Sequence, residues 1–308
     1  MSSKINLRKP APIVVFGYNR LDKFITVIES LKRNQESEKS ELWIFIDGPR
    51  NLNDSMIQHS ILNYAKDING FEKNIVIHAG QNKGLSKSIE EGISKVLETN
   101  SSLIVIEDDI KVSKYFLEYI NLGLFLYEQD ENVASIHGYS YPTKNKLPNT
   151  FFLKGADCWG WGTWRRSWDK YNKDSKALLQ SISIHKDKND FDFSGYGGFI
   201  KMLKDSVKGK NDSWAIKWYA SMFLSEMYTL YPGESLVENI GLDGSGAHKE
   251  INETPSSFDQ NQKIKVEKIE VKESKIAREA FIQFFKQNNT SQIYKNLNSL
   301  LNFKKNVT

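Results

Sequence analysis

Four short apolar runs, Ile13-Val14-Val15-Phe16, Leu42 to Ile46, Ile75-Val76-Ile77 and Leu103 to Ile106, are separated by three stretches of helical period. In the first stretch Leu21, Phe24, Ile25, Ile28 and Leu31 recur at that spacing. In the second Ile57, Ile61, Leu62 and Ala65 do so, and in the third Leu85, Ile89, Ile93, Val96 and Leu97. The order is β-α-β-α-β-α-β. Continuously apolar strands must be covered on both faces, and helices as connections make them parallel. Right-handed crossovers then bring the carboxyl ends of the strands to one edge, where such sheets bind ligands. The polar residues directly after the runs are therefore the first functional candidates: Tyr18-Asn19-Arg20, Asp47-Gly48, Gln81-Asn82-Lys83-Gly84 and Glu107-Asp108-Asp109.

The second half is less regular. Helices are expected over Tyr115 to Tyr127 and Trp214 to Met227, a strand over Val133 to His137, and a strand then a Gly-rich loop from Leu236 to Gly246. Phe191 to Gly198 reads as a loop. The last 52 residues hold ten Lys and Arg against five Asp and Glu. That shift suggests a body over 1–255, split into a nucleotide-binding half (1–110) and an acceptor half (111–255), and a basic, largely helical appendage over 256–308. In the appendage Ile276, Ala280, Phe281, Phe284 and Phe285 form one stripe, suited to packing on the body, to an oligomer contact or to an anionic membrane surface.

Composition removes whole classes. With 39% hydrophobic and 12% aromatic residues the chain is not disordered. No apolar run approaches the ~20 residues of a membrane span. Met1 to Pro12 lacks an apolar signal core, so a cytoplasmic location is expected, with the tail able to reach the inner face of the membrane. The single cysteine, Cys158, excludes an internal disulfide framework and a Cys-based zinc site. A net charge of +4 gives no reason to expect nucleic acid.

Glu107-Asp108-Asp109 is the sharpest chemical signal. Three adjacent carboxylates repel unless a cation or donor groups compensate them. Their hard oxygens suit Mg²⁺ or Mn²⁺, which would also stabilise a departing nucleoside diphosphate. The plain alternative is a solvated acidic turn. Asp47 can accept from a uracil N–H or a ribose hydroxyl, with Gly48 allowing the sharp turn, or it can simply belong to a strand-to-loop turn. Arg20 suits a phosphate or a surface ion pair. The segment from Gln81 to Ser88, with Asn82 and Lys87, leads into a helix start whose free N–H groups favour anions. It lacks P-loop spacing, and no G-x-G-x-x-G follows the first run.

Taken together, these pieces resemble the GT-A class of glycosyltransferases over roughly residues 12–250. Asn82-Lys83-Gly84 and Phe45-Ile46-Asp47-Gly48 are similar to family-2-type sugar transferases. Val105-Ile106-Glu107-Asp108-Asp109, followed by Phe116-Leu117-Glu118-Tyr119, resembles N-acetylglucosaminyltransferase I and its relatives. The resemblance implies a GT-A fold (α/β, Rossmann-like, a mostly parallel sheet with helices on both faces) plus a C-terminal helical tail. It implies a UDP-sugar donor bound through Mn²⁺ or Mg²⁺, with Asp109 as metal ligand and Glu107 and Asp108 on sugar and ribose. Asp47 would match the uracil-binding Asp, and Arg20 the Arg after the first strand.

Four of the seven tryptophans crowd into Trp159 to Trp168. Trp164 and Trp168 are expected in the core. Gly160-Trp161-Gly162 is expected to wall the donor pocket, since aromatic faces stack on sugars and the related transferases have a Gly-x-Gly segment near this point. In those relatives an Asp beside a Trp is the general base. Here Asp212 stands two residues before Trp214, with helix capping as its plain alternative and Asp190 or Asp192 as substitutes. His248, in a Gly-rich loop, is a further candidate metal ligand, with an ordinary exposed His as the alternative. The expected activity is inverting, metal-dependent transfer from a UDP-sugar, UDP-GlcNAc first, to a glycan or lipid-linked glycan acceptor of bacterial surface polysaccharide. The rivals are a sugar-nucleotide nucleotidyltransferase and a non-catalytic glycan-binding module.

Overall fold

The computed structural model describes residues 9–241 and 258–289. The first half runs β1 (Ile13–Gly17), α1 (Leu21–Lys32), β2 (Glu41–Ile46), α2 (Leu52–Lys66), β3 (Lys73–His78), α3 (Leu85–Leu97) and β4 (Ser102–Glu107). Then come β5 (Ile110–Val112), α4 (Phe116–Leu126), β6 (Val133–His137), β7 (Thr150–Lys154), β8 (Trp161–Trp164) and the single turn α5 (Arg165–Trp168). They are followed by α6 (Ser175–Ile184), the single turn α7 (Lys188–Phe191), α8 (Phe199–Val207), α9 (Trp214–Leu224), β9 (Tyr228–Pro232) and β10 (Val237–Asn239). A last helix, α10, covers 275–289.

Eight strands form one sheet in the order β3-β2-β1-β4-β8-β6-β9-β7. The first four are parallel, β8 is antiparallel to both β4 and β6, β9 is parallel to β6, and β7 is antiparallel to β9. The fold is thus the expected mixed α/β one, with only β7 and β8 reversed. β5 and β10 pair as a separate two-stranded ribbon.

Strand periodicity sorts side chains to two faces. Ile13 and Val15 of β1, with Ile104 and Ile106 of β4, enter one core with Phe24, Ile28 and Leu31 of α1. Val14, Phe16, Leu103 and Val105 enter the opposite core with Ile89 and Ile93 of α3. At close quarters, Gly92 of α3 lies where a Cβ would meet the Phe16 ring at 2.5 Å. A third core, off the β7 edge, joins α6, α8, α9 and α10.

The described segment 258–289 is not set apart from the body. Ile264 is buried in the first core, and Ala277, Ala280 and Phe281 in the third. Phe281, Phe284 and Phe285 surround Tyr141, so these aromatics of the expected stripe are spent on packing, while Ile276 stays exposed. Among the described residues no helix is long and apolar enough to cross a membrane.

Candidate functional site

The carboxyl ends of β1 to β4 carry the residues singled out above. Asp47, one residue past β2, is buried. Its Oδ1 accepts from the N–H groups of Gly48 (2.8 Å) and Lys83 (2.9 Å), and its Oδ2 from Gly84 N–H (3.0 Å) and Asn82 Nδ2 (3.1 Å). A carboxylate has about four lone-pair sites, so all are taken. Asp47 is therefore the staple of the 82–84 loop and has no acceptor left for a uracil N–H, contrary to the expectation from sequence. Asn82 serves the same loop, donating also to Gly48 O (2.8 Å) and accepting from Arg50 Nε (3.3 Å). Glycine is required at 48, where a Cβ would sit 2.2 Å from the Gln81 carbonyl carbon.

Arg20, just before α1, turns to the acidic run. It forms ion pairs with Asp108 and, at 2.9 Å, with Asp109 Oδ2. Burial opposes its charge, but the two carboxylates outweigh burial and hold the guanidinium above its ordinary range. Asp108 also accepts from Tyr18 N–H at 3.3 Å. Burial pushes its pKa up to about 6 against the pull of Arg20. Glu107 is pushed up to about 8 by burial, then by Asp109 and Asp108. The β5–β10 ribbon fixes Asp109, whose carbonyl accepts from Ile240 N–H at 2.8 Å. Gly241 leaves room for this carboxylate, since a Cβ there would lie 2.2 Å from Asp109 Oδ2 and displace it.

The donor set fits a hard divalent cation. Among the described residues Asp109 Oδ1 and both Glu107 oxygens accept no hydrogen bond, whereas Asp108 is committed to Arg20 and Tyr18. Uncommitted carboxylate oxygens are the ligands Mg²⁺ and Mn²⁺ take. A second acidic group, His185, Asp187 and Glu226, has the spacing of a metal site. It lies by the opposite edge of the sheet, where Lys154 Nζ already sits 3.2 Å from Asp187 and 2.6 Å from Glu226.

Asp212 reaches the same edge from the second half. It is exposed, and its Oδ2 lies 4.0 Å from the Cβ position of Gly84. Trp214, two residues on, stacks on Trp161 at the start of β8, at 5.8 Å between centroids. Asp212 does not cap α9; Ser213 does, accepting from Ile216 N–H at 3.3 Å. Behind it Lys217 joins Glu90 (3.1 Å) and Ser86 (3.0 Å), and Tyr171 donates to Glu90 (2.6 Å). Burial would raise Glu90, but these hydrogen bonds outweigh it and hold its carboxyl below the ordinary range.

Several expected residues lie elsewhere. Trp161 is completely buried and packs on Trp168, Trp214 and Trp218, so it is core and not pocket wall. Gly160 faces inward as well, its Cβ position 2.8 Å from Val237. Lys87 projects from the first turn of α3 into solvent, 3.9 Å from Glu91. Asp192 is consumed at the start of α8, accepting from Phe199 N–H (2.6 Å) and Ile200 N–H (3.4 Å). Asp190 is exposed. His248 lies outside the described residues. Sequence reading passed over Asp54, which ties the β1 loop to α2 by accepting from Tyr18 O–H (2.5 Å) and Asn19 Nδ2 (2.7 Å).

No protein-family model matches the chain, and no curated protein sequence is significantly similar to it. Among solved structures it is similar to a mannosyltransferase, PcManGT from Pyrobaculum calidifontis in complex with GDP-Man and Mn²⁺. That match has a TM-score of 0.40 and 7% identity over 71% of this chain and 70% of that one. A UDP-glucose pyrophosphorylase complexed with UDP-glucose gives 0.37 and 11% over 75% and 94%. The glycosyltransferase GlyE of Streptococcus pneumoniae TIGR4 gives 0.36 and 13% over 77% and 46%. At these scores no correspondence of residues follows.

Proposed function

We propose that the chain is a metal-dependent, inverting glycosyltransferase. It moves a sugar from a UDP-sugar, UDP-GlcNAc being the first to test, to a hydroxyl of a glycan or lipid-linked glycan acceptor in bacterial surface polysaccharide synthesis. The observation that carries this reading is the Glu107–Asp109 run at the carboxyl end of β4, with uncommitted oxygens on Glu107 and Asp109 and Asp212 on the same edge of the sheet.

A divalent cation held by Asp109 and Glu107 would neutralise the diphosphate and stabilise it as leaving group. Arg20, already between Asp108 and Asp109, adds a fixed positive charge beside that diphosphate. The start of α3 offers backbone N–H groups to anions, and the Asp47 staple holds the loop before it in shape. Exposed Asp212 takes the proton of the acceptor hydroxyl as that oxygen bonds to the anomeric carbon. The bond from the anomeric carbon to the diphosphate oxygen breaks on the opposite side, which inverts the configuration.

The test is UDP release from UDP-sugars in the presence of an oligosaccharide acceptor, with MnCl₂ and with EDTA. Mn²⁺-dependent release abolished in Asp109→Asn is the expected result. Calorimetry that finds no Mn²⁺-dependent UDP binding overturns the reading.

A further inference from the structure

A fourth carboxylate joins this edge where β8 begins. Trp161, the first residue of β8, pairs with Val105 of β4 on one side and His137 of β6 on the other. Asp157 and Cys158 lie in the connection just before it. Later in the same connection Gly160 packs beside the acidic run, its Cβ position 3.4 Å from the side chain of Ile110, the residue after Asp109, and the Cys158 thiol is pushed up by burial first, then by Asp157, Glu107 and Asp109.

Asp157 remains a quarter exposed, whereas the His137 side chain behind it has no exposure. Its Oδ2 accepts from Tyr141 O–H at 3.0 Å, and its Oδ1 from Cys158 N–H at 2.9 Å. His137 is completely buried, and neither of its ring nitrogens has a hydrogen-bond partner. Its Nε2 faces Asp157 Oδ2 at 3.9 Å, beyond hydrogen-bond range. Buried polar side chains are nearly always paired. A small turn of the Asp157 carboxylate toward His137 would close that gap.

We propose that Asp157, backed by His137 and Tyr141, binds a hydroxyl of the transferred sugar and so selects the donor. This rests on the nucleotide-sugar reading above. In such a donor the diphosphate separates nucleoside from sugar. The connection that carries Asp157 packs beside Ile110, next to Asp109, so Asp157 is placed to meet the ring hydroxyls of a sugar whose diphosphate is held at Asp109. A hydroxyl donates to the carboxylate, and His137 N–H and Tyr141 O–H hold the carboxylate in place as it accepts.

Calorimetry on the full chain in MnCl₂ tests this, with UDP alone and with UDP-GlcNAc, UDP-glucose and UDP-galactose, taking the sugar that the wild type binds most tightly. Asp157→Asn should leave UDP affinity within about two-fold and weaken that UDP-sugar by about ten-fold or more, the size of one hydrogen bond to a charged group. Tyr141→Phe should show the same split to a smaller degree, and melting curves confirm that both variants fold. An unchanged UDP-sugar affinity in Asp157→Asn overturns the inference. So does an equal loss for UDP alone, which would assign Asp157 to the nucleotide or metal. A wild type that binds neither UDP nor any UDP-sugar is a different failure: it removes the underlying reading, and this inference with it.

Discussion

Lys217 backs Asp212: its ammonium lies 3.8 Å from Asp212 Oδ1 and 3.1 Å from Glu90 Oε1. The pairing places a buried positive charge behind an exposed carboxylate, and Ser213 relieves that carboxylate of any capping duty. Asp212→Asn should therefore lower kcat by roughly 10²–10⁴-fold with little change in UDP-sugar affinity or melting temperature. Near-normal turnover would move the assignment to Asp190, because Asp192 is occupied at the start of α8.

Asp109 keeps one carboxylate oxygen clear of Arg20. Asp109→Asn should abolish Mn²⁺-dependent UDP binding while the Arg20–Asp108 pair keeps the loop in place. Titration calorimetry with and without MnCl₂ reads this directly, and unchanged affinity in Mn²⁺ would show the metal assignment to be wrong.

Asp47→Ala should act on stability before specificity. It strands the buried N–H of Gly48 and the half-buried N–H groups of Lys83 and Gly84, and a buried donor left unpaired costs about 1–3 kcal/mol, a half-buried one less. Urea unfolding should show a loss of about 2–3 kcal/mol, accompanied by weaker binding of every nucleotide. A variant of normal stability with altered nucleotide preference would restore the uracil contact.

Trp161→Ala should lose about 3–5 kcal/mol, as for other buried aromatic truncations. Nucleotide affinity, measured at a temperature where the variant is folded, should stay near that of the wild type. Lost affinity at retained stability would return Trp161 to the pocket.

His137 makes stability fall in acid. Burial depresses its pKa from 6.5 to about 4, against a weaker opposing pull from Asp157. The folded state thus favours the neutral ring. Its contribution is complete above pH 6.5 and is lost as pH falls toward 4, about 3 kcal/mol in all. The wild type should lose this much more stability than His137→Phe between pH 7 and 4. Parallel curves for the two proteins would rule it out.

Elements β1 to β4 and α1 to α3 were legible because the hydrophobic period changes cleanly at each boundary. The acidic run was legible because nothing in it is apolar and a strand precedes it. What escaped sequence reading depends on distant partners. Asp47 was noticed, but its acceptors are filled by backbone N–H groups more than 30 residues later, which no side-chain pattern reports. Arg20 was read as suited to a phosphate or an ion pair, but its partners Asp108 and Asp109 lie far along the chain, where no local pattern points to them. Trp161 sits between two glycines, and spacing alone does not reveal that α9 covers its face of β8. Helix α8 and strand β9 escaped because the packing that defines them is completed from outside, by α9, β7 and α10.

The late position of Ile264, Ala277 and Phe281 has a consequence for synthesis. Tyr127 and Phe152, in the core that receives Ile264, and Phe151 and Tyr231, in the one that receives Phe281, all leave the ribosome first. Until the last fifty or so residues emerge, both clusters lack part of their cover. The nascent chain must carry a greasy seam from the emergence of Phe152 until that of Ile264 and Phe281, and a product stopped near residue 256 would keep it for good. Such a fragment should be cut by protease faster than the full chain and be held by chaperones.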